Sequence, residues 1–230
     1  MKITKFEDAE YFKKHKYRDP RDYVVESYVM PKVKFIEDTG CFRRAGLKIL
    51  DVGSGNGTFS WHFRKYSDTV VGLDYSEQLL RRNPGRLKAM ATTYQLPFKD
   101  GSFDIVFEAN LLHHLNSPHC AIKEMKRCSR EYLIFIEPNR YNPLMCLLSL
   151  AVRPERGGLT SCRKRWEGLI RNLGIEVITG MVTGMISQEN TPALLVPFLK
   201  PFDFNFCLGE YIVLVCRKLT AAAKSELLYG

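Results

Sequence analysis

No Cys-x-x-Cys pair occurs among the seven cysteines, which are scattered at positions 41, 120, 128, 146, 162, 207 and 216. An odd set without regular spacing argues against a disulfide framework and for reduced thiols in a cytoplasmic setting. Long apolar runs are missing too: "PLMCLLSLAV" has half of the roughly 20 residues that a membrane span needs. No apolar leader is expected either, because "MKITKFEDAEYFKKHKYRDPRD" is densely charged. No internal repeat is visible, and "TAAAKSELLYG" at the end reads as a frayed tail. A phosphate-binding lysine of the Walker type and the aromatic signature of RNA-recognition modules are both lacking. These absences leave a soluble, reduced, single-domain chain as the expectation for residues 1–230.

What the chain does have is an ordinary globular composition, 45% hydrophobic and 26% charged, with a net charge of +9. A basic balance favours anionic partners. The cations are dispersed, however, in groups such as Arg81, Arg82 and Arg86 or Lys123, Lys126, Arg127 and Arg130. Such groups read as solvated helix faces, which makes nucleic acid the less favoured partner.

Residues 1–46 form a charged extension with helical spacing from Tyr23 through Val24, Tyr28, Val29 and Val33 to Phe35; Pro31 is expected to break or kink it. Strands and helices then alternate: strand 47–52, helix 58–66, strand 69–73, helix 76–82, strands 87–91 and 103–108, helix 119–128, strand 132–137. That alternation predicts an α/β fold, a mostly parallel sheet with helices on both faces and a helical N-terminal cap. After Glu137 the rhythm changes. Two candidate helices flank a basic, glycine-containing loop, "IEVITGMV" and "EYIVLVCRK" supply strands six and seven, and "PALLVPFLKP" a short helix. The chain thus divides into the extension (1–46), two halves of one domain (47–137 and 138–217) and a tail (218–230).

Between the first strand and the first helix of the alternation stands "ILDVGSGNGTF" (49–59). A glycine-rich strand-to-helix turn allows a ligand to lie on bare backbone near a helix N-terminus. The spacing Gly53-Ser54-Gly55-Asn56-Gly57 puts Thr58 where the third glycine of a dinucleotide fingerprint belongs. Asp51, just ahead of the glycines, would repel a pyrophosphate and suits an ammonium instead. About 20 residues further on, "VVGLDYS" ends a strand in Asp74, where an acid accepts hydrogen bonds from ribose hydroxyls. The alternative role for Asp74 is N-cap of the helix "SEQLLRR".

With "QLPFKDGSFDIVFEANLLHHL" (95–115) and "LIFIEPNRYNP" (133–143), these stretches resemble the class I S-adenosylmethionine-dependent methyltransferases of the small-molecule, methyltransferase type 11-like kind. The resemblance covers residues 45–145. It implies a Rossmann-like seven-stranded sheet and S-adenosyl-L-methionine as cofactor. Gly53, Ser54 and Gly55 would lie against that cofactor, Asp51 would face its amino group, Asp74 its ribose, and Tyr75 its adenine. The family normally has an acid ahead of "LPF"; here Thr92 stands in its place, beside Thr93, whose backbone would also touch adenine. Asn110 would present a carbonyl near the methionine group.

His113 and His114 follow the fourth strand and, with Tyr141, are the candidate catalytic residues; a neutral imidazole is a base at cellular pH. In the alternative, one imidazole points to the core and the other caps a turn. Glu137, Asn139 and Tyr141 are candidates to face the acceptor, and Glu137 has an alternative role at a helix N-terminus. "HHLNSPH" offers no metal site by sequence, because adjacent histidines on a loop rarely converge and no neighbouring acid or cysteine completes the set. The apolar helix after Asn142, beside Arg153 and Arg156, either admits an amphiphilic acceptor or faces the core as a lid. The expected activity is methyl transfer to a small, lipid- or glycan-linked acceptor. RNA methylation and a non-catalytic, cofactor-binding partner role are the competing readings.

Overall fold

The computed structural model describes residues 17–219. Seven strands form one sheet: β1 (Lys48–Val52), β2 (Thr69–Asp74), β3 (Leu87–Met90), β4 (Phe103–Ala109), β5 (Ser129–Pro138), β6 (Ile175–Thr183) and β7 (Tyr211–Lys218). Their order is β3-β2-β1-β4-β5-β7-β6. The first five are parallel, and β7 runs antiparallel to both β5 and β6. The α/β, mostly parallel fold predicted from the alternation is the one observed.

Strand alternation sends successive side chains to opposite faces, and each face has its own core. Ile49, Ile105, Phe107, Ile134, Ile136 and Val213 pack against α1 (Tyr23–Asp38) and α2 (Thr58–Phe63). Leu50, Val106, Leu133, Phe135 and Leu214 pack on the other side against α4 (Pro118–Cys128) and α6 (Arg163–Asn172). The remaining α-helices among the described residues are α3 (Glu77–Arg82), α5 (Pro143–Ala151) and α7 (Val196–Leu199).

The expectation of a break at Pro31 is corrected. Helix α1 runs unbroken for 16 residues with Pro31 inside it. An internal proline costs about 3 kcal/mol. Burial of Val24, Val25, Tyr28, Val29, Val33 and Ile36 along one face offsets that cost. The buried Lys32 side chain also donates to the Tyr28 carbonyl (2.7 Å), within the turn that the proline disturbs. The expected tail lies almost wholly outside the described residues, as does the start of the N-terminal extension.

The strand order reverses at β1 and β4, so a crevice opens between their carboxyl ends. Asp51, Asp74, Asn110, the 3-10 turn Leu112–His114 and Glu137 stand at or just beyond the carboxyl ends of β1, β2, β4 and β5.

Candidate active site

The glycine turn is built from three glycines in three different surroundings. At Gly55, with φ +52°, no atom lies within 4 Å of where a Cβ would stand, so the backbone there faces open space. A Cβ on Gly53 would meet Leu111 at 3.0 Å, and one on Gly57 would meet the Asn83 side chain at 2.4 Å. Gly57 is therefore required by packing against Asn83, and Gly55 is the position open to a ligand.

Asp74 ties this turn to the next strand. Its carboxylate accepts from the Gly55 N–H (2.9 Å) and the Ser76 N–H (2.8 Å). The N-cap of α3 is Ser76, which accepts from the Leu79 N–H, so the cap role considered for Asp74 belongs to its neighbour. Burial pushes the Asp74 carboxyl up, against its backbone hydrogen bonds. Asp51 is 2% exposed and accepts from the Ser60 hydroxyl at 2.6 Å. Burial raises it to about 7. A cation arriving beside such a carboxyl would restore its charge.

The other cofactor candidates divide. Tyr75 is 54% exposed at the crevice rim. Asn110 holds a left-handed backbone (φ +54°), a region that asparagine enters more readily than other residues with a side chain. Its amide donates to the Tyr28 hydroxyl (3.0 Å), linking the rim to α1. The Thr92 hydroxyl accepts from the Tyr94 N–H (3.3 Å), whereas the buried Thr93 hydroxyl has no partner. Ser54 turns inward: its N–H goes to the Leu73 carbonyl and its hydroxyl accepts from Asn83.

On the acceptor side, Glu137 gathers the 3-10 turn. It accepts from the N–H groups of Leu111 (3.1 Å), Leu112 (2.8 Å) and His113 (3.1 Å) and from His113 Nδ1 (2.8 Å). The helix-terminus role anticipated for Glu137 is thus present, together with a grip on the histidine. Glu155 reaches over from the 3-10 segment Arg153–Thr160, with Oε2 3.5 Å from His113 Nε2 and 4.0 Å from His114 Nε2. Burial opposes a charge on His113, but the Glu137 and Glu155 carboxylates outweigh it and raise the imidazole to about 9. Burial, aided by the His113 charge, lowers His114 to about 4. Glu108, fully buried beside Glu137, is pushed well above the usual carboxylate range, first by burial and then by its neighbour's charge. One histidine is thus a held cation and the other a neutral ring.

Asn139 does not face the rim. Its amide donates to the carbonyls of Cys207 (2.9 Å) and Gly209 (2.8 Å), which pins the chain ahead of β7. Tyr141 is 61% exposed. The lid reading of α5 is corrected: Leu144, Leu147 and Leu150 form an exposed stripe, and only Ser149 of that helix is buried. Sequence reasoning also missed Ser60, Asn83, Glu108 and Glu155. Their partners lie across turns or up to 42 residues away in the chain, where no local spacing marks them.

Residues 50–135 match the family described as Methyltransferase domain. The 27-O-demethylrifamycin SV methyltransferase of Amycolatopsis mediterranei is 34% identical over 98 residues, covering 38% of this chain and 36% of that one. The tRNA U34 carboxymethyltransferase of Trichlorobacter lovleyi is 30% identical over 122 residues, covering 42% and 38%. This chain thus spans little more than a third of the length of either relative. Among solved structures, a Thermotoga maritima protein described as a possible histamine N-methyltransferase superposes with a TM-score of 0.68 at 18% identity, covering 85% of this chain and 91% of that one. That likeness shows the fold. Residues 50–135 thus match a methyltransferase domain, and the chain shares its fold with S-adenosylmethionine-dependent methyltransferases. S-adenosylmethionine is the cofactor of that class, and the residues here fit it: open backbone at Gly55, carboxyls at Asp51 and Asp74, an unpartnered Thr93 hydroxyl.

Proposed function

We propose that the chain methylates a small amphiphilic acceptor, using S-adenosylmethionine held between the glycine turn and the ends of β2 and β4. The open backbone at Gly55, its N–H held by the Asp74 carboxylate, is the observation that carries the reading. When bound, the cofactor supplies an electrophilic methyl group on sulfonium. In this reading Gly53, Ser54 and Gly55 form its floor, Asp51 faces its ammonium and Asp74 its ribose. Tyr75, Thr92 and Thr93 border the adenine, and Asn110 borders the methionine end. Alignment supplies most of what such a transfer needs from the protein. His113, His114 and Tyr141 stand on the acceptor side. The neutral His114 ring offers a lone pair for an acceptor proton, and His113, clamped by two carboxylates, positions it. Leu144, Leu147 and Leu150 provide the apolar contact, with exposed Arg153 and Arg156 beside them for an acidic group.

RNA is the less favoured substrate because the cations are dispersed and several of the arginines are paired with acids. Arg81 pairs with Glu77, Arg127 with Glu124 and Asp100, and Arg163 and Arg171 with Glu167. The test is transfer of labelled methyl into fractions of a cell extract. Replacement of His113, His114 or Tyr141 should lower turnover at least tenfold while binding of S-adenosylhomocysteine persists. Charge reversal at Arg81, Arg82 and Arg86 should leave turnover within about twofold. Loss in the arginine set alone, with steep salt dependence, would identify RNA as the substrate instead.

Asp74→Ala is expected to weaken S-adenosylhomocysteine binding by roughly 1–3 kcal/mol, the usual penalty for stranded hydroxyl partners. Because Asp74 also holds the Gly55 and Ser76 N–H groups, the melting temperature should fall as well. Calorimetry separates the two effects: unchanged affinity in a less stable variant would reduce Asp74 to a structural tie.

A further inference from the structure

The acceptor-side cluster has a feature that methyl transfer does not require. Nδ1 of His113 lies 2.8 Å from a Glu137 carboxylate oxygen, and Nδ1 of His114 lies 3.0 Å from the Pro154 carbonyl. Both partners can only accept, so each Nδ1 carries the ring's proton in the neutral form. In that form each Nε2 is a lone pair; on His113, which its two carboxylate neighbours hold as a cation, the second proton must leave as an ion arrives. The two rings lie 3.8 Å apart between centroids and tilted by 43°, so adjacent residues on a 3-10 turn present their Nε2 atoms to one place. That place is the Glu155 carboxylate, at 3.5 and 4.0 Å. One ligand atom from each of His113, His114 and Glu155 lies within 4.8 Å of the other two. Ligands at about 2 Å from a tetrahedral centre stand roughly 3.3 Å apart, so a small contraction of this group closes it on an ion.

We propose that His113 Nε2, His114 Nε2 and the Glu155 carboxylate form a site for one divalent cation of the zinc type, with Glu137 as the carboxylate that orients His113. Two imidazoles and one carboxylate form a donor set for zinc and neighbouring first-row ions. A carboxylate on the far ring nitrogen is the usual outer-shell partner of a metal-bound histidine. His119, the third histidine of the sequence cluster, is exposed and lies beside Cys120, outside the group. The ion would join two segments 40 residues apart that already touch: a Cβ on Gly157 would lie 1.7 Å from the His113 carbonyl oxygen. It would pin the Arg153–Thr160 segment to the sheet rim and leave its remaining coordination position for water or an acceptor oxygen. With the ion bound, the imidazole lone pairs are ligands, and an acceptor would be activated on the ion rather than by His114.

The test uses the full chain stripped with chelator and titrated with Co²⁺, then with Zn²⁺. The expected result is one Co²⁺ per chain with a visible absorption band, displaced by Zn²⁺, and a melting temperature that rises with Zn²⁺. Glu155→Gln and His114→Ala, both at partly exposed positions, should each weaken uptake about tenfold or more and abolish the thermal shift. Cys120→Ser should change neither. No uptake at millimolar Co²⁺, uptake unaltered in the first two variants, or uptake lost with Cys120→Ser would each overturn the proposal. S-adenosylhomocysteine binding measured on the same samples keeps this outcome separate from that of the methyltransferase reading.

Discussion

Gly55→Val is expected to abolish S-adenosylmethionine binding while leaving a folded chain. The substitution places a branched side chain in the open space above the turn, where no protein atom lies within 4 Å of the added Cβ. Packing of the apo protein is therefore undisturbed. The φ of +52° does penalise valine, by about 1–2 kcal/mol, an amount a domain of this size tolerates. The ligand, by contrast, would have to share space with two methyl groups. Binding by calorimetry should fall by at least a hundredfold, and circular dichroism should be unchanged. Retained affinity in a folded Gly55→Val protein would mean that the cofactor lies elsewhere. Gly57→Val should behave in the opposite way, because its Cβ collides with Asn83 at 2.4 Å and the damage falls on folding.

Glu137→Ala is expected to be the most destabilising single change at the site. It strands the N–H groups of Leu112 and His113 and the His113 Nδ1, whereas the Leu111 N–H keeps a second acceptor in Glu108 (3.2 Å). Each unsatisfied buried donor costs about 1–3 kcal/mol, and removing one partner of a buried charged pair costs about 3–5 kcal/mol. The terms overlap, so a total near 4–6 kcal/mol is expected, enough to leave a marginal domain largely unfolded at 37 °C. Chemical denaturation of Glu137→Ala beside Glu137→Gln checks this. The amide keeps one acceptor oxygen and should retain more than half of the lost stability. Equal, mild losses in both variants would show that the 3-10 turn does not depend on this carboxylate.

Much of the fold was legible because the buried parallel strands are near-continuous apolar runs, such as "YLIFIE", separated by amphipathic helices. The glycine turn and Asp74 were legible for a related reason: a ligand on bare backbone restricts residue type locally, within a few positions. Pro31 was misread because local propensity cannot see the core that α1 covers. The stripe Leu144, Leu147 and Leu150 has the same periodicity whether it faces protein or solvent, so sequence could not decide its side. Glu155 was invisible as a partner of the histidines because 41 residues separate it from His114, and only the folded insertion brings them together.

The position of β7 bears on how the chain assembles. Among the described residues β6 pairs only with β7, and β7 fills the place beside β5. As the polypeptide leaves the ribosome, the five parallel strands can align while one side of β5 stays bare. Its run Leu133–Ile136, buried in the finished protein, then presents open N–H and C=O groups to any passing strand. The hazard ends only when residues 211–218 slide in between, and Asn139 fastens the loop ahead of them through Cys207 and Gly209. Translation pauses after β6 would lengthen that exposure, and synonymous changes that slow codons 184–210 should raise aggregation without altering a single side chain.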